Sequence, residues 1–540
     1  MEPTRKGTPI SMLHEDLLWK IFLEITNDAL FYPFYPSRTE NRPIVTIRYC
    51  SHVCDRWRSV ILSSSMIWGR LIDMDYLTGR NTDGWMKEVV SRTGTALLWM
   101  YGTVDYQFPC DHFLFHFLQE NWGRVQMLVV IESPHFLEHR KKMWDFLHRP
   151  APRLQWVDLK LWFEDTEFLS RLLFADNAPL LTDFRIGNIR KFSTDTSWIS
   201  NLCDVRFTYA FHPSEILEAL RRIPRLKYLE VFIGNGAVDY RGPTIILPRL
   251  RMLQFHAGNF THAGTFLQHI APSADRCLSA NVYLLEHMVD KQEYSKEYEA
   301  PIAKHFIPYS SLHPPSVVRF AVTEHVFTLG YDASQRSLRF VPVHGGPPQY
   351  RVFHITLHTP SLASSSFMEK LSSSAWFSQV TELDLGTWYS PLDFSQLGII
   401  PALRTFSSLK ILSTNDVILH SLLRQPCSIT ATLFPVLTTL QIFISGRSEE
   451  KWEEPPHHRL LQFRKGIGRP LSVFEITLPR LHKSMSRPSM YITDLNMGYL
   501  EVHSGLLVKW KMEGEGPEKY QCYRCGDGHP ERLHFDLANP

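Results

Sequence analysis

Pro224-Arg225-Leu226-Lys227-Tyr228-Leu229-Glu230-Val231-Phe232-Ile233 is the stretch whose reading decides the fold. A proline stands just ahead of its first leucine, and the apolar residues then recur with the period of two that sends Leu229 and Val231 to one face of a β-strand. Similar stretches lie on both sides. Pro152-Arg153-Leu154 leads to Val157 and Leu159, Pro179-Leu180-Leu181 to Phe184 and Ile186, and Pro248-Arg249-Leu250 to Leu253 and Phe255. An earlier copy, Val125, Leu128 and Val130, stands about 29 residues before Leu154.

Further along, copies open at Val352, Val380, Leu409 and Leu437, separated by about 28, 29 and 28 residues, and Leu471, Phe474 and Ile476 form a last one. Steps of this size fall at the upper end of leucine-rich repeat periods. Helical candidates lie between the strands. In Pro213 to Arg222, Ser214 is placed to cap the first turn and Pro224 sits just beyond the end. One strand-loop-helix unit cannot bury its apolar edge, whereas stacked units share a continuous core. The expected class is therefore α/β: an irregular solenoid with a row of strands on one face. Residues 258–350 give no readable repeat.

Ahead of the array, Leu13, Leu17, Leu18, Ile21, Phe22 and Ile25 have the spacing of an amphipathic helix over Ile10 to Thr26. A turn-rich insertion from Phe31 to Arg42 follows, and Pro43 marks its far side. A second helical stretch is expected from Ile44 to Leu62, with Ile47, Cys50, Val53, Cys54, Trp57, Val60 and Ile61 on its stripe. Two short helices cannot hide their own apolar faces, so a neighbouring domain or a partner must cover them.

Two blocks in this module carry a family resemblance. Leu13-His14-Glu15-Asp16-Leu17-Leu18-Trp19-Lys20-Ile21-Phe22 resembles the first F-box block, and Val53-Cys54-Asp55-Arg56-Trp57-Arg58 followed by Trp68 resembles the second. The whole chain resembles the F-box proteins with irregular leucine-rich repeats that are expanded in mushroom-forming fungi. It departs from them at His14, where proline is usual, at Asp16, where glutamate is usual, and in the length of the 31–42 insertion. Losing the proline removes a preset backbone angle at the helix start.

The resemblance implies a module that docks the Skp adaptor of an SCF-type E3 ubiquitin ligase, and through it a cullin. It assigns that docking surface, or its support, to Leu13, Leu17, Leu18, Ile21, Phe22, Val53 and Trp57. The repeat region would present an unknown protein target, and the chain itself would perform no catalysis. The expected boundaries are 8–70 for the F-box-like module, 71–120 for a linker and capping region, 121–512 for the repeats and 513–540 for a tail. The alternatives are a non-ligase interaction scaffold and an enzyme with a site on loops of the array.

The composition agrees with a folded chain. Across 540 residues, 44% are hydrophobic and 21% charged, and 14 Trp and 34 Phe supply large apolar side chains. Lys and Arg nearly balance Asp and Glu, for a formal charge of +2, so no broad field draws the protein to nucleic acid or anionic membrane. Neither a secretory signal nor an apolar run of membrane-spanning length is read in the sequence. The eight cysteines are scattered apart from Cys50 with Cys54 and Cys522 with Cys525, a pattern that suits a reducing cytoplasmic or nuclear setting.

No glycine-rich phosphate loop or nucleophile-base pair is evident. Gly345-Gly346-Pro347-Pro348 reads as a surface turn, and His457-His458 after Pro455-Pro456 as a solvated loop. The tail differs. Cys522-x-x-Cys525 with Gly526, Gly528, His529 and His534 has the spacing of a zinc knuckle, which would make Cys522, Cys525, His529 and His534 the ligands of a structural zinc. The competing reading is two reduced cysteines in a polar, partly disordered segment.

Overall fold

The computed structural model describes residues 13–27, 42–78, 83–104, 111–132, 144–161, 172–187, 195–209, 211–234, 238–258, 260–282, 296–322, 326–332, 352–358, 375–385, 399–444, 452–479, 494–513, 515 and 519–537. Most of the 31–42 insertion and the Gly345–Pro348 turn lie outside these residues. The chain is a mixed α/β protein with parallel and mixed sheets. Its contacts divide it into two compact units, one running to Gln254 and including His269–Ala271, the other holding the remaining described residues.

The first unit opens with helices α1 (Glu15–Asn27), α2 (Pro43–Cys50), α3 (Asp55–Ser63) and α4 (Ser65–Gly69). The expected second helix is thus broken. α2 ends at Cys50 with Ser51 at its C-cap, and Cys54, extended at φ −161° and ψ 164°, takes the N-cap position of α3. His14 replaces a proline start with a local cap: its carbonyl accepts from Leu17 N and Leu18 N, and its Nδ1 from Asp16 N at 3.3 Å.

Seven strands follow: β1 (Ile72–Asp73), β2 (Leu98–Val104), β3 (Val125–Glu132), β4 (Trp156–Lys160), β5 (Asp183–Gly187), β6 (Asp204–Phe207) and β7 (Tyr228–Ile233). Each is parallel to the next. Leu128, Val157, Phe184, Val205 and Leu229 stand opposite one another in register and are all buried, which makes them successive layers of one core. Bringing each such side chain out of water contributes about 1.5–3 kcal/mol.

The prolines have a specific task. Leu154, Leu181, Leu226 and Leu250 each donate a backbone N–H to the residue three positions earlier. Pro152, Pro179, Pro224 and Pro248 then hold the second position of the turn, where their fixed φ is already correct. Beyond each turn, one carbonyl accepts two N–H groups from the start of the next strand. Gln155 O accepts from Thr182 and Asp183, Thr182 O from Cys203 and Asp204, Cys203 O from Lys227 and Tyr228, and Lys227 O from Arg251 and Met252.

β8 (Met252–Ala257) carries the chain into the second unit, which contains β9 (Cys277–Val282), β10 (Val317–Val322), β11 (Val326–Asp332), β12 (Val352–His358), β13 (Glu382–Asp384), β14 (Ile411–Thr414), β15 (Thr439–Phe443), β16 (Val473–Leu478), β17 (Asp494–Asn496), β18 (Leu507–Met512), β19 (Gln521–Arg524) and β20 (His534–Asp536). From β13 through β16 to β18 the pairing is again parallel. The shared carbonyls recur at Ser316, Thr381, Lys410 and Thr438.

The even step from Val352 to Val380 does not join neighbours in the ladder. β12 pairs with β9 and, antiparallel, with β11, whereas β13 pairs with β10. The hairpin β10–β11 enters the sheet between them and interrupts the parallel order. The unreadable region also contains the helix Lys296–Leu312 with Pro301 and Pro308 inside it, against local propensity. In the first unit, His212 rather than Ser214 caps the helix Pro213–Leu220. Its Nδ1 accepts from Ser214 N, Glu215 reaches back to His212 N, and Pro213 opens the first turn.

Candidate functional site

The helical module sorts its apolar residues into two columns. Leu18 and Phe22 on α1 are each 1% exposed, and Phe22 meets Trp57 of α3 edge to face at 5.2 Å. Ile44, Ile47, Ile61 and Ile67 complete this interior. One residue earlier in each turn, Leu17 and Ile21 are 48% and 46% exposed, and Val53 before α3 is 62% exposed. Leu13 and Trp57 are half-buried.

These exposed groups are held in place by polar ties. Arg56, three residues after Val53, donates from Nη2 to Leu13 O at 2.5 Å, joining the start of α3 to the start of α1. Trp19 Nε1 donates to Ser64 Oγ at 3.0 Å, and Arg70 Nη1 to Asn27 Oδ1 at 3.0 Å. The module is also anchored to the strands that follow it. Buried Arg42 contacts both carboxylate oxygens of Asp73 at 2.8 and 3.0 Å, and Asp73 Oδ1 accepts Tyr76 N at 3.0 Å. Burial outweighs the attraction of Arg42 and pushes the Asp73 carboxyl up to about 6.

Of the seven residues assigned to docking, Leu17, Ile21 and Val53 are therefore presented to solvent, and Leu18 and Phe22 are interior. Leu13 and Trp57 lie at the boundary. The arrangement can offer an apolar column to a partner, and because about half of each side chain is already covered, completing their burial is worth about 1 kcal/mol each.

The four tail residues are not brought together as a metal site. Among the described residues, no group of three or more His, Cys, Asp or Glu side chains has a metal-holding arrangement. Cys522 is exposed on β19, whereas Cys525 is 1% exposed. Burial, with Glu501 and Asp527 nearby, pushes the Cys525 thiol up to about 12. His529 Nδ1 lies 3.0 Å from Glu531, and His534 pairs in register with Asn496.

The tail is folded: β19 pairs with β18 and β20 with β17. Gly526 and Gly528 adopt φ of 97° and 84°, a region suited to glycine. Their turn encloses Glu501, which accepts Gly528 N at 2.7 Å and the Tyr523 hydroxyl at 2.9 Å. Burial would raise the Glu501 carboxyl, but these donors and the Gly526 N–H hold it below its ordinary value. The glycines thus shape a turn whose N–H groups donate to a carboxylate.

His457-His458 is not a solvated loop. Pro456 opens the helix Pro456–Gly466, and both histidines are buried in its first turn. Asp416 Oδ1 accepts from His457 N at 3.1 Å and sits 2.7 Å from Nδ1, while His457 Nε2 lies 2.5 Å from the Tyr499 hydroxyl. His458 Nδ1 is 3.4 Å from His503 Nε2. The Asp-His-Tyr order is that of an acid-base relay, yet burial and Asp416 raise the Tyr499 hydroxyl and His457 is only 2% exposed. The network joins the helices Asp416–Leu423 and Pro456–Gly466 to the turn Gly498–Val502. Proline ahead of paired histidines was the only sequence signal for it.

No helix among the described residues is long and apolar enough to cross a membrane. No protein-family model and no curated protein matches the chain.

Proposed function

We propose that the protein is an F-box substrate-recognition adaptor: the N-terminal helical module docks the Skp adaptor of an SCF-type ubiquitin ligase, and stacked leucine-rich repeats present a protein target. The observation that carries this reading is the solvent-facing column of Leu17, Ile21 and Val53 on a module whose interior is filled by Leu18, Phe22, Ile44, Ile47, Ile61 and Ile67. A rigid surface with exposed large apolar residues fits a partner-binding role. The register-paired strands and their proline turns support the repeat reading of the rest.

Coexpression of the full chain with a Skp adaptor tests the docking step. Coelution at micromolar concentration is expected, and Leu17→Asp with Ile21→Asp abolishes it while the far-ultraviolet circular dichroism is retained. No complex with the unaltered chain, or undiminished capture by the double variant, removes the adaptor reading and leaves an interaction scaffold. Phe22 is unsuitable for this test because its change attacks the module's interior.

A further inference from the structure

A cavity of about 430 Å³ lies between α2, α3, α4 and the helix Asp83–Arg92, lined in part by Arg48, Arg58, Trp68, Trp85, Glu88 and Arg92. That volume suits a small molecule. Its cations are unequal. Arg92 pairs with Glu88 at 2.5 Å, donates to Leu62 O at 3.3 Å and lies 5.6 Å from the Trp68 ring centre. Arg48 sits over Trp85 at 5.8 Å, and neither it nor Arg58 has a carboxylate partner among the described residues. Trp68 and Trp85 meet edge to face at 6.2 Å and form an aromatic wall.

With Glu88 engaged by Arg92, Arg48 and Arg58 stand beside the indoles with no carboxylate partner among the described residues. A monocarboxylate would neutralise one of them, whereas a phosphate monoester carries up to two charges and matches the planar donor fork of arginine. An aromatic ring attached to that phosphate has the partly exposed Trp85 to pack against, with Trp68 buried behind it at 3% exposure. We infer that this cavity is a binding site for a small organic phosphate whose phosphate is joined to an aromatic ring, held by Arg48 and Arg58 against Trp85. Leu17, Ile21 and Val53 of the proposed docking column are not among its lining residues, although His52 beside Val53 is.

Calorimetric titration of the isolated full-length protein, without any adaptor, uses phenyl phosphate and inorganic phosphate as probes. Phenyl phosphate is expected to bind with Kd below about 1 mM and about tenfold or more tightly than inorganic phosphate. Arg48→Met with Arg58→Met weakens it about tenfold or more, and Trp85→Leu removes the preference for the ring. Arg48→Lys with Arg58→Lys, which retains charge and guards against misfolding, weakens it at least about threefold by losing the planar fork. Absence of saturable binding, equal affinity for the two probes, or undiminished binding by the lysine variant overturns the assignment.

Discussion

The two units use the same backbone scheme but fill one row of it with different chemistry. In the first unit, Asp158, Arg185, Arg206 and Glu230 are successive register partners on β4 to β7. Arg206 bonds Glu230 at 2.5 Å and lies 3.5 Å from Asp158, while Arg185 pairs with Asp204, all close to fully buried. In the second, the corresponding succession on β14, β15, β16 and β18 is Ser413, Gln441, Glu475 and Lys509. Ser413 bonds Gln441, Gln441 donates to Glu475 at 2.8 Å, and Lys509 reaches Glu475 at 3.3 Å with a third of its side chain exposed.

The lesson is that a parallel ladder constrains spacing more strongly than polarity. A buried charge in such a row depends on its neighbours, because desolvation is repaid only through a partner. Burial raises the Asp158 carboxyl although Arg206 and Arg185 oppose the rise. Burial alone would weaken the protonation of Arg206, but Glu230 and Asp158 overcome it and raise its pKa.

Arg206→Met is expected to break the comparison most sharply. It leaves Asp158 and Glu230 without their shared cation and destabilises the first unit by about 3–5 kcal/mol. Hydrogen exchange should show protection lost across β4 to β7 and retained across β14 to β16. Equal loss in both units would remove the distinction drawn between them.

A pH titration gives a smaller effect of opposite sign in the two units. Burial, against Arg42 in one case and reinforced by Asp204 in the other, raises Asp73 and Asp183 to about 6. Their contribution is fully present below the unfolded carboxyl pKa and is lost as pH rises through about 6. Burial, with His458 and Lys465, lowers His503 to about 4, and burial also lowers His458. Their contribution is present above the unfolded histidine pKa of about 6.5 and is lost as pH falls toward about 4. Between pH 6.5 and 4.5, exchange protection should therefore decline around the helix Pro456–Gly466 relative to β4 to β7. His503→Phe should reduce that difference.

Glu475→Gln should have the smallest effect. It removes a partly exposed ion pair while keeping hydrogen-bonding capacity, so a cost of about 0.5–1 kcal/mol is expected in urea unfolding. A loss as large as that of Arg206→Met would show that the second row is as dependent on charge as the first.

Strands with a proline turn ahead of them were legible because fixed φ, burial and alternation all favour the same local structure. The region holding β9 to β11 was not, since a proline-containing helix and an antiparallel hairpin interrupt both signals. At the candidate docking surface, spacing found the apolar residues but could not distinguish Leu17 and Ile21 from Leu18 and Phe22. Neighbouring positions on α1 differ by about 100° around its axis, and the packing of α3 decides which column is covered. In the tail, sequence spacing gave the glycine turn but not the Glu501 carboxylate that accepts from its N–H groups.

The shared carbonyls leave considerable freedom elsewhere. From Phe184 to its register partner Val205 is 21 residues, whereas from Leu440 to Phe474 is 34, yet each strand is entered through the same kind of doubly accepting carbonyl. Insertions and deletions can accumulate in the arcs of chain between paired strands without disturbing the ladder. Such a chain can diversify by changing arc length while its pairing grammar stays constant, and its sequence periodicity fades sooner than its architecture.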